Sequence, residues 1–150
     1  MEEHEYQQAY QALNQCPCPF EKALLNTCCT CNQSQRIHIA EREGMSCLTK
    51  FSQKQCQELL VCLCDSAQFA LKLRKVETLL PHGKLLKIQC GGLQGLQTAV
   101  HAELEGKPVS NVNEVVKQAL LLFGEIKYFP YQEMVRFISH YRVRQRRFQK

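Results

Sequence analysis

Apolar positions in this chain recur mostly at helical intervals. Tyr6, Tyr10 and Leu13 lie three or four residues apart among polar neighbours, a spacing that predicts a short amphipathic helix over residues 2–14. Pro19 suits the first position of a helix, residues 20–26 can continue it, and Cys18 then falls at its N-cap. Asn32 with Gln35 resembles a capping box, which predicts a helix over 33–43 with Gly44 as its C′ residue. Ser52 with Gln55 makes a third cap-like start, opening a long helix from Gln53 to about Leu80 that Pro81 ends.

In the second half, residues 84–90 alternate weakly between Gly83 and Gly91-Gly92, as a short strand or extended connector would. Gly91-Gly92-x-x-Gly95 lacks the lysine and the strand–helix setting of a phosphate loop, so it reads as a turn opening a helix over 92–105. That helix runs through Leu93, Leu96, Val100 and Leu104, and Gly106-Lys107-Pro108 closes it. Asn111 with Glu114 caps a further helix through Val115, Ala119, Leu122 and Ile126, and Pro130 starts a last one through Val135 and Ile138. The predicted fold class is mainly α: a compact single-domain helical protein with at most one short strand or extended connector. With 150 residues, 45% of them hydrophobic, the chain can bury one core and is short for two. Residues 1–64 form a cysteine-rich half and 92–150 a helical half with a basic tail, with no repeat or linker between them.

The opening Met-Glu-Glu-His-Glu-Tyr is acidic and polar, without the features of an export signal, and no stretch approaches the ~18 apolar residues of a membrane span. A cytoplasmic protein is expected, and this changes the meaning of its ten cysteines. A secreted chain with that many would be read as a disulfide scaffold, whereas clustered thiols in a reducing compartment point to metal ligation or redox chemistry.

Nine of the ten cysteines lie between Cys16 and Cys64, in the order Cys16-x-Cys18, Cys28-Cys29-x-Cys31, Cys47, Cys56, Cys62-x-Cys64. Cys28 and Cys31 have the gap of a zinc knuckle, but no second knuckle follows, and the ferredoxin spacings are absent. On a helix, Cys64 stands roughly 12 Å along the axis from Cys56, too far to share one ion, and Cys62 faces away from Cys64. Cys62, Cys64 and Cys90 therefore read as packing thiols. Cys18, Cys31 and Cys56 each fall at a predicted helix start, where unpaired N–H groups and the helix dipole would lower thiol pKa values and favour a negatively charged centre. The expected metal ligands are drawn from Cys18, Cys29, Cys31, Cys47 and Cys56, with Cys16 and Cys28 in reserve. Dispersed ligands without paired knuckles favour an iron–sulfur cluster, of the 4Fe-4S kind, over zinc. His38 falls on the helix predicted over 33–43, His82 and His101 stand apart from the cysteine block, and each reads as a surface or packing residue.

No nucleophile elbow, HExxH motif or phosphate loop is present, and no thioredoxin-like pattern surrounds Cys28 to Cys31, so enzymatic readings rank last. Most of the formal net charge of +5 is local to the C-terminus, where Arg142, Arg144, Arg146 and Arg147 interleave with Tyr141 and Phe148. Such a tail suits an acidic protein face, a nucleic-acid backbone or an anionic membrane surface. The expectation is a small, non-enzymatic iron–sulfur protein acting in electron transfer or in redox or iron sensing with an acidic partner. The alternative is a zinc-stabilised module that binds nucleic acid or acts as an adaptor.

Overall fold

A computed structural model describes residues 2–70 and 82–142 of the chain. Among them the elements are α1 (Glu3–Leu13), α2 (Glu21–Leu25), β1 (Ser34–Ile39), β2 (Arg42–Cys47), α3 (Lys50–Ala70), α4 (His82–Val100), α5 (Val112–Phe123) and α6 (Tyr131–His140). Two short 3-10 turns, Ala102–Leu104 and Ile126–Tyr128, flank α5. The fold is thus mainly α, as the periodicity predicts, with one small antiparallel sheet.

That sheet replaces the helix predicted over 33–43. β1 and β2 pair from Ser34 opposite Cys47 to Ile39 opposite Arg42, and Ala40-Glu41 makes the turn. Ala40 takes a left-handed φ of 56° there, a conformation that glycine or asparagine usually signals and that alanine conceals. Gly44 is no helix cap. It lies inside β2, where a Cβ would stand 3.0 Å from the Tyr10 ring, so its lack of a side chain lets α1 lie across the hairpin.

α3 begins earlier than the Ser52–Gln55 pair suggests, because Thr49 is the working cap: its Oγ1 accepts the Ser52 N–H at 3.2 Å. Residues 71–81, which include the rest of the long helix expected to reach Leu80, lie outside the described residues. The connector expected over 84–90 is instead helical, and α4 runs unbroken through the three glycines. Their role is close approach rather than turning. A Cβ on Gly91 would lie 2.6 Å from Ile138 Cα and one on Gly95 2.8 Å from Met134 Cα, so α6 packs directly onto the α4 backbone. The exit from α5 comes earlier than the predicted Ile126: Gly124, at φ 91°, ends the helix after Phe123.

α4 is the central element, buried along Leu86, Ile88, Gln89, Cys90, Leu93 and Leu96 and packed against α2, α3, α5 and α6. The core continues through Leu59, Leu63 and Ala67 of α3, Val112, Val116 and Ala119 of α5, and Met134 and Ile138 of α6. Phe20, Ala23 and Leu24 carry that core under the cysteine-rich half, so both halves share one interior.

Candidate metal centre

Two cysteine-bearing loops are anchored by hydrogen bonds that involve no sulfur. In the Cys16-Pro17-Cys18-Pro19 segment the prolines cannot donate to a strand ladder, and their carbonyls are met by side-chain amides instead. Gln53 Nε2 donates to Pro17 O at 2.9 Å, and Gln89 Nε2 donates to Pro19 O at 3.1 Å. Gln89 is 2% exposed, and its Oε1 also accepts the Ala23 N–H at 3.0 Å, clamping α2 to α4. Cys18 N–H donates to Met45 O and Cys47 N–H to Cys16 O, so the segment runs antiparallel beside β2. The second loop, Cys28-Cys29-Thr30-Cys31, is threaded against the start of α5: Thr30 N–H donates to Val109 O and Val112 N–H to Thr30 O, each at 2.9 Å.

Cys28 and Cys90 form a disulfide with Cα atoms 6.2 Å apart, a separation ordinary for such a bond. This corrects the reading of Cys90 as a packing thiol and removes Cys28 from the reserve of ligands. The pair joins the second loop to α4 across 62 residues of sequence.

All five cysteines singled out by the sequence come together. Cys18, Cys31, Cys47 and Cys56 line one small, nearly enclosed cavity, with Phe20, Leu24 and Val112 as its apolar wall. Its volume of about 20 Å³ has room for one water-sized species. Cys29, 2% exposed, stands close behind, near enough to Cys18 and Cys31 for their charges to interact. Among the described residues, no three Cys, His, Asp or Glu side chains converge on a point at single-ion bonding distance. The five sulfurs thus share a neighbourhood rather than a common centre, and none of the histidines lines the cavity.

The reason for this assembly differs from the predicted one. Cys31 precedes a strand, Cys56 is the seventh residue of α3, and Cys18 lies two residues ahead of the Phe20 cap of a five-residue helix. Neither Cys31 nor Cys56 therefore sits at a helix start, and Cys18, Cys29 and Cys56 are not acidified. Burial pushes Cys18 up to about 12, against a hydrogen bond from the Phe20 N–H that favours its thiolate. Burial likewise pushes Cys29 to about 12 and raises Cys56 further, and in each case neighbouring sulfurs add to the effect. A cationic centre would offset both causes, whereas without one the thiols stay protonated.

Cys16 belongs to this region by a route the sequence did not reveal, standing beside Cys47 across the strand pair. Burial and the Cys47 sulfur raise its pKa, partly offset by Lys50. Cys62 lies elsewhere, near the Tyr131 side chain, whose hydroxyl donates to Ile126 O at 2.6 Å. Cys64 is half-buried next to Asp65. Of the basic tail, Arg142 is exposed beyond the end of α6, and Arg144, Arg146 and Arg147 lie outside the described residues. No helix among the described residues is long and apolar enough to cross a membrane.

The Gln53 and Gln89 anchors were not singled out from the sequence, although a glutamine among the apolar Leu86, Leu93 and Leu96 of a helix is a readable signal of a buried clamp. No protein-family model, curated protein or solved structure matches the chain.

Proposed function

We propose that the Cys18, Cys31, Cys47 and Cys56 cavity, with Cys29 behind it, holds an iron–sulfur cluster and that the protein serves electron transfer or redox or iron sensing. The observation that carries this reading is four cysteines from four separate segments lining one cavity, with a fifth buried beside them. Soft thiolates suit iron–sulfur and zinc centres, and buried thiols that oppose each other's ionisation become favourable ligands once a cation is present. Bound there, an iron–sulfur cluster would supply one-electron chemistry at a potential set by burial and by hydrogen bonds to sulfur.

The chain's own contributions are positional. Gln53 and Gln89 fix the Cys18 segment, the Cys28–Cys90 disulfide and the Thr30 hydrogen bonds fix Cys29 and Cys31, and Phe20, Leu24 and Val112 keep water away. In this reading the protein works in the cytoplasm and docks an acidic partner through Arg142, Arg144, Arg146 and Arg147, with steering that weakens as salt rises.

One observation favours a single ion: the cavity has room for one water-sized species, which suits a four-thiolate zinc site stabilising a module that binds nucleic acid through the same arginines. Anaerobic purification followed by iron, sulfide and zinc analysis separates the two. Iron and sulfide together with broad visible absorption support the cluster. Stoichiometric zinc in a colourless preparation overturns it.

A further inference from the structure

Cys16 and Cys47 occupy facing positions in an antiparallel pair. Pro17 bridges Ser46, Cys47 N–H donates to Cys16 O at 2.7 Å, and Cys18 N–H donates to Met45 O at 3.0 Å. In that pattern Cys16 is directly opposite Cys47, as Cys18 is opposite Met45, and all four side chains lie on one face. Directly opposed residues of this kind have Cα atoms about 5.5 Å apart, inside the range a disulfide spans. The Cys47 sulfur is near enough to Cys16 to raise its pKa, and the Cys47 thiol donates to Thr49 O at 3.1 Å. Both are half-buried rather than enclosed, in contrast to Cys29, and Cys47 alone of the two lines the thiol cavity.

We propose that Cys16 and Cys47 are a redox-active dithiol whose closure to a disulfide takes Cys47 out of the cavity. The oxidant is a low-molecular-weight disulfide. The Cys16 thiolate attacks one of its sulfurs, forming a mixed disulfide and releasing one small thiolate, and the Cys47 thiolate then attacks the Cys16 sulfur and releases the second. Two cysteine protons are lost, and the two electrons leave on two molecules of small thiol. The pair itself stands on strand geometry. Its consequence, that oxidation removes a ligand and so releases metal, rests on the proposed metal centre.

The test treats the full-length protein with glutathione disulfide, blocks the remaining thiols and maps cross-linked peptides, both as isolated and after stripping with a chelator. A Cys16–Cys47 cross-link is expected in addition to Cys28–Cys90, with none in Cys16→Ala and a persistent glutathione adduct on Cys16 in Cys47→Ala. If the protein as isolated carries metal, oxidation should release it from the parent, whereas Cys16→Ala should keep parental metal content and resist the release. Cys16 and Cys47 blocked as separate free thiols after oxidation would overturn the pairing, and metal loss from Cys16→Ala without any oxidant would overturn its role in oxidative release. The stripped sample judges the pairing even where no metal is found, so failure of the dithiol and failure of the metal centre give different results.

Discussion

Replacing Gln89 by methionine, a side chain of similar length without polar atoms, isolates the clamp between α4 and the first cysteine loop. Two hydrogen bonds disappear: the one that the Ala23 N–H donates to Oε1 and the one that Nε2 donates to Pro19 O. Ala23 is fully buried, so its N–H would be left without a partner at about 1–3 kcal/mol. Pro19 is half-buried and borders an open groove, so water can reach its carbonyl and that cost is smaller. The apolar replacement regains a little by burial, leaving a net loss of about 1–3 kcal/mol, or a fall of roughly 2–12 °C in thermal midpoint for a chain of this size. Because Cys18 precedes Pro19, the loop should also hold metal less tightly. Thermal unfolding by circular dichroism measures the first effect. An unchanged midpoint in Gln89→Met would refute the argument that the loop depends on this clamp.

Gly95→Ala should destabilise by about 1–3 kcal/mol, since a Cβ 2.8 Å from Met134 Cα forces α6 away and outweighs the ~1 kcal/mol alanine gains in a helix. Gly83→Ala, with nothing within 4 Å, should be neutral or stabilising, and equal effects in a denaturant titration would contradict the α4–α6 seam. For metal-stripped protein, stability should fall as pH rises above ~8.5, because the unfolded thiols ionise there while burial holds Cys18 and Cys29 protonated up to about 12, with Cys56 raised as well. The native state then binds more protons than the unfolded one. The three thiols together should lose about 4 kcal/mol between pH 8 and 9.5, and a flat thermal midpoint over that range would contradict the burial argument. Neutralising Arg142, Arg144, Arg146 and Arg147 should leave the midpoint within about 0.5 kcal/mol of its starting stability. It should also weaken salt-sensitive binding to an acidic partner, and unfolding on neutralisation would give the tail a structural role instead.

Much of this arrangement was legible before any coordinates, though not always for the right reason. Period and caps located α1, α5 and α6 closely, because each buries one face whose spacing is local. The hairpin was hidden because its turn, Ala40-Glu41, carries no glycine or asparagine and Asn32–Gln35 imitates a helix cap. Gly91-Gly92-x-x-Gly95 looked like a turn because the reason for its glycines lies in helices distant in sequence, α6 against Gly91 and Gly95 and Leu63 of α3 against Gly92. Spacing picked out Cys18, Cys29, Cys31, Cys47 and Cys56 as a group, yet the helix starts invoked to explain them do not exist at Cys31 or Cys56. What gathers them is the pairing of the Cys16–Cys18 segment with β2 and of the Cys29 loop with α5, both contacts between distant segments. Nor could local pattern show Cys28 reaching Cys90, 62 residues on.

Iron and sulfide content per chain in three anaerobic preparations, the parent, Cys56→Ser and Cys62→Ser, tests the central claim most directly. Cys56 lines the thiol cavity, whereas Cys62 lies near Tyr131 away from it. The parent and Cys62→Ser should carry the same iron and sulfide, and Cys56→Ser should have lost most of both. A parent without iron and sulfide, or a Cys62→Ser that loses them while Cys56→Ser keeps them, would contradict the account.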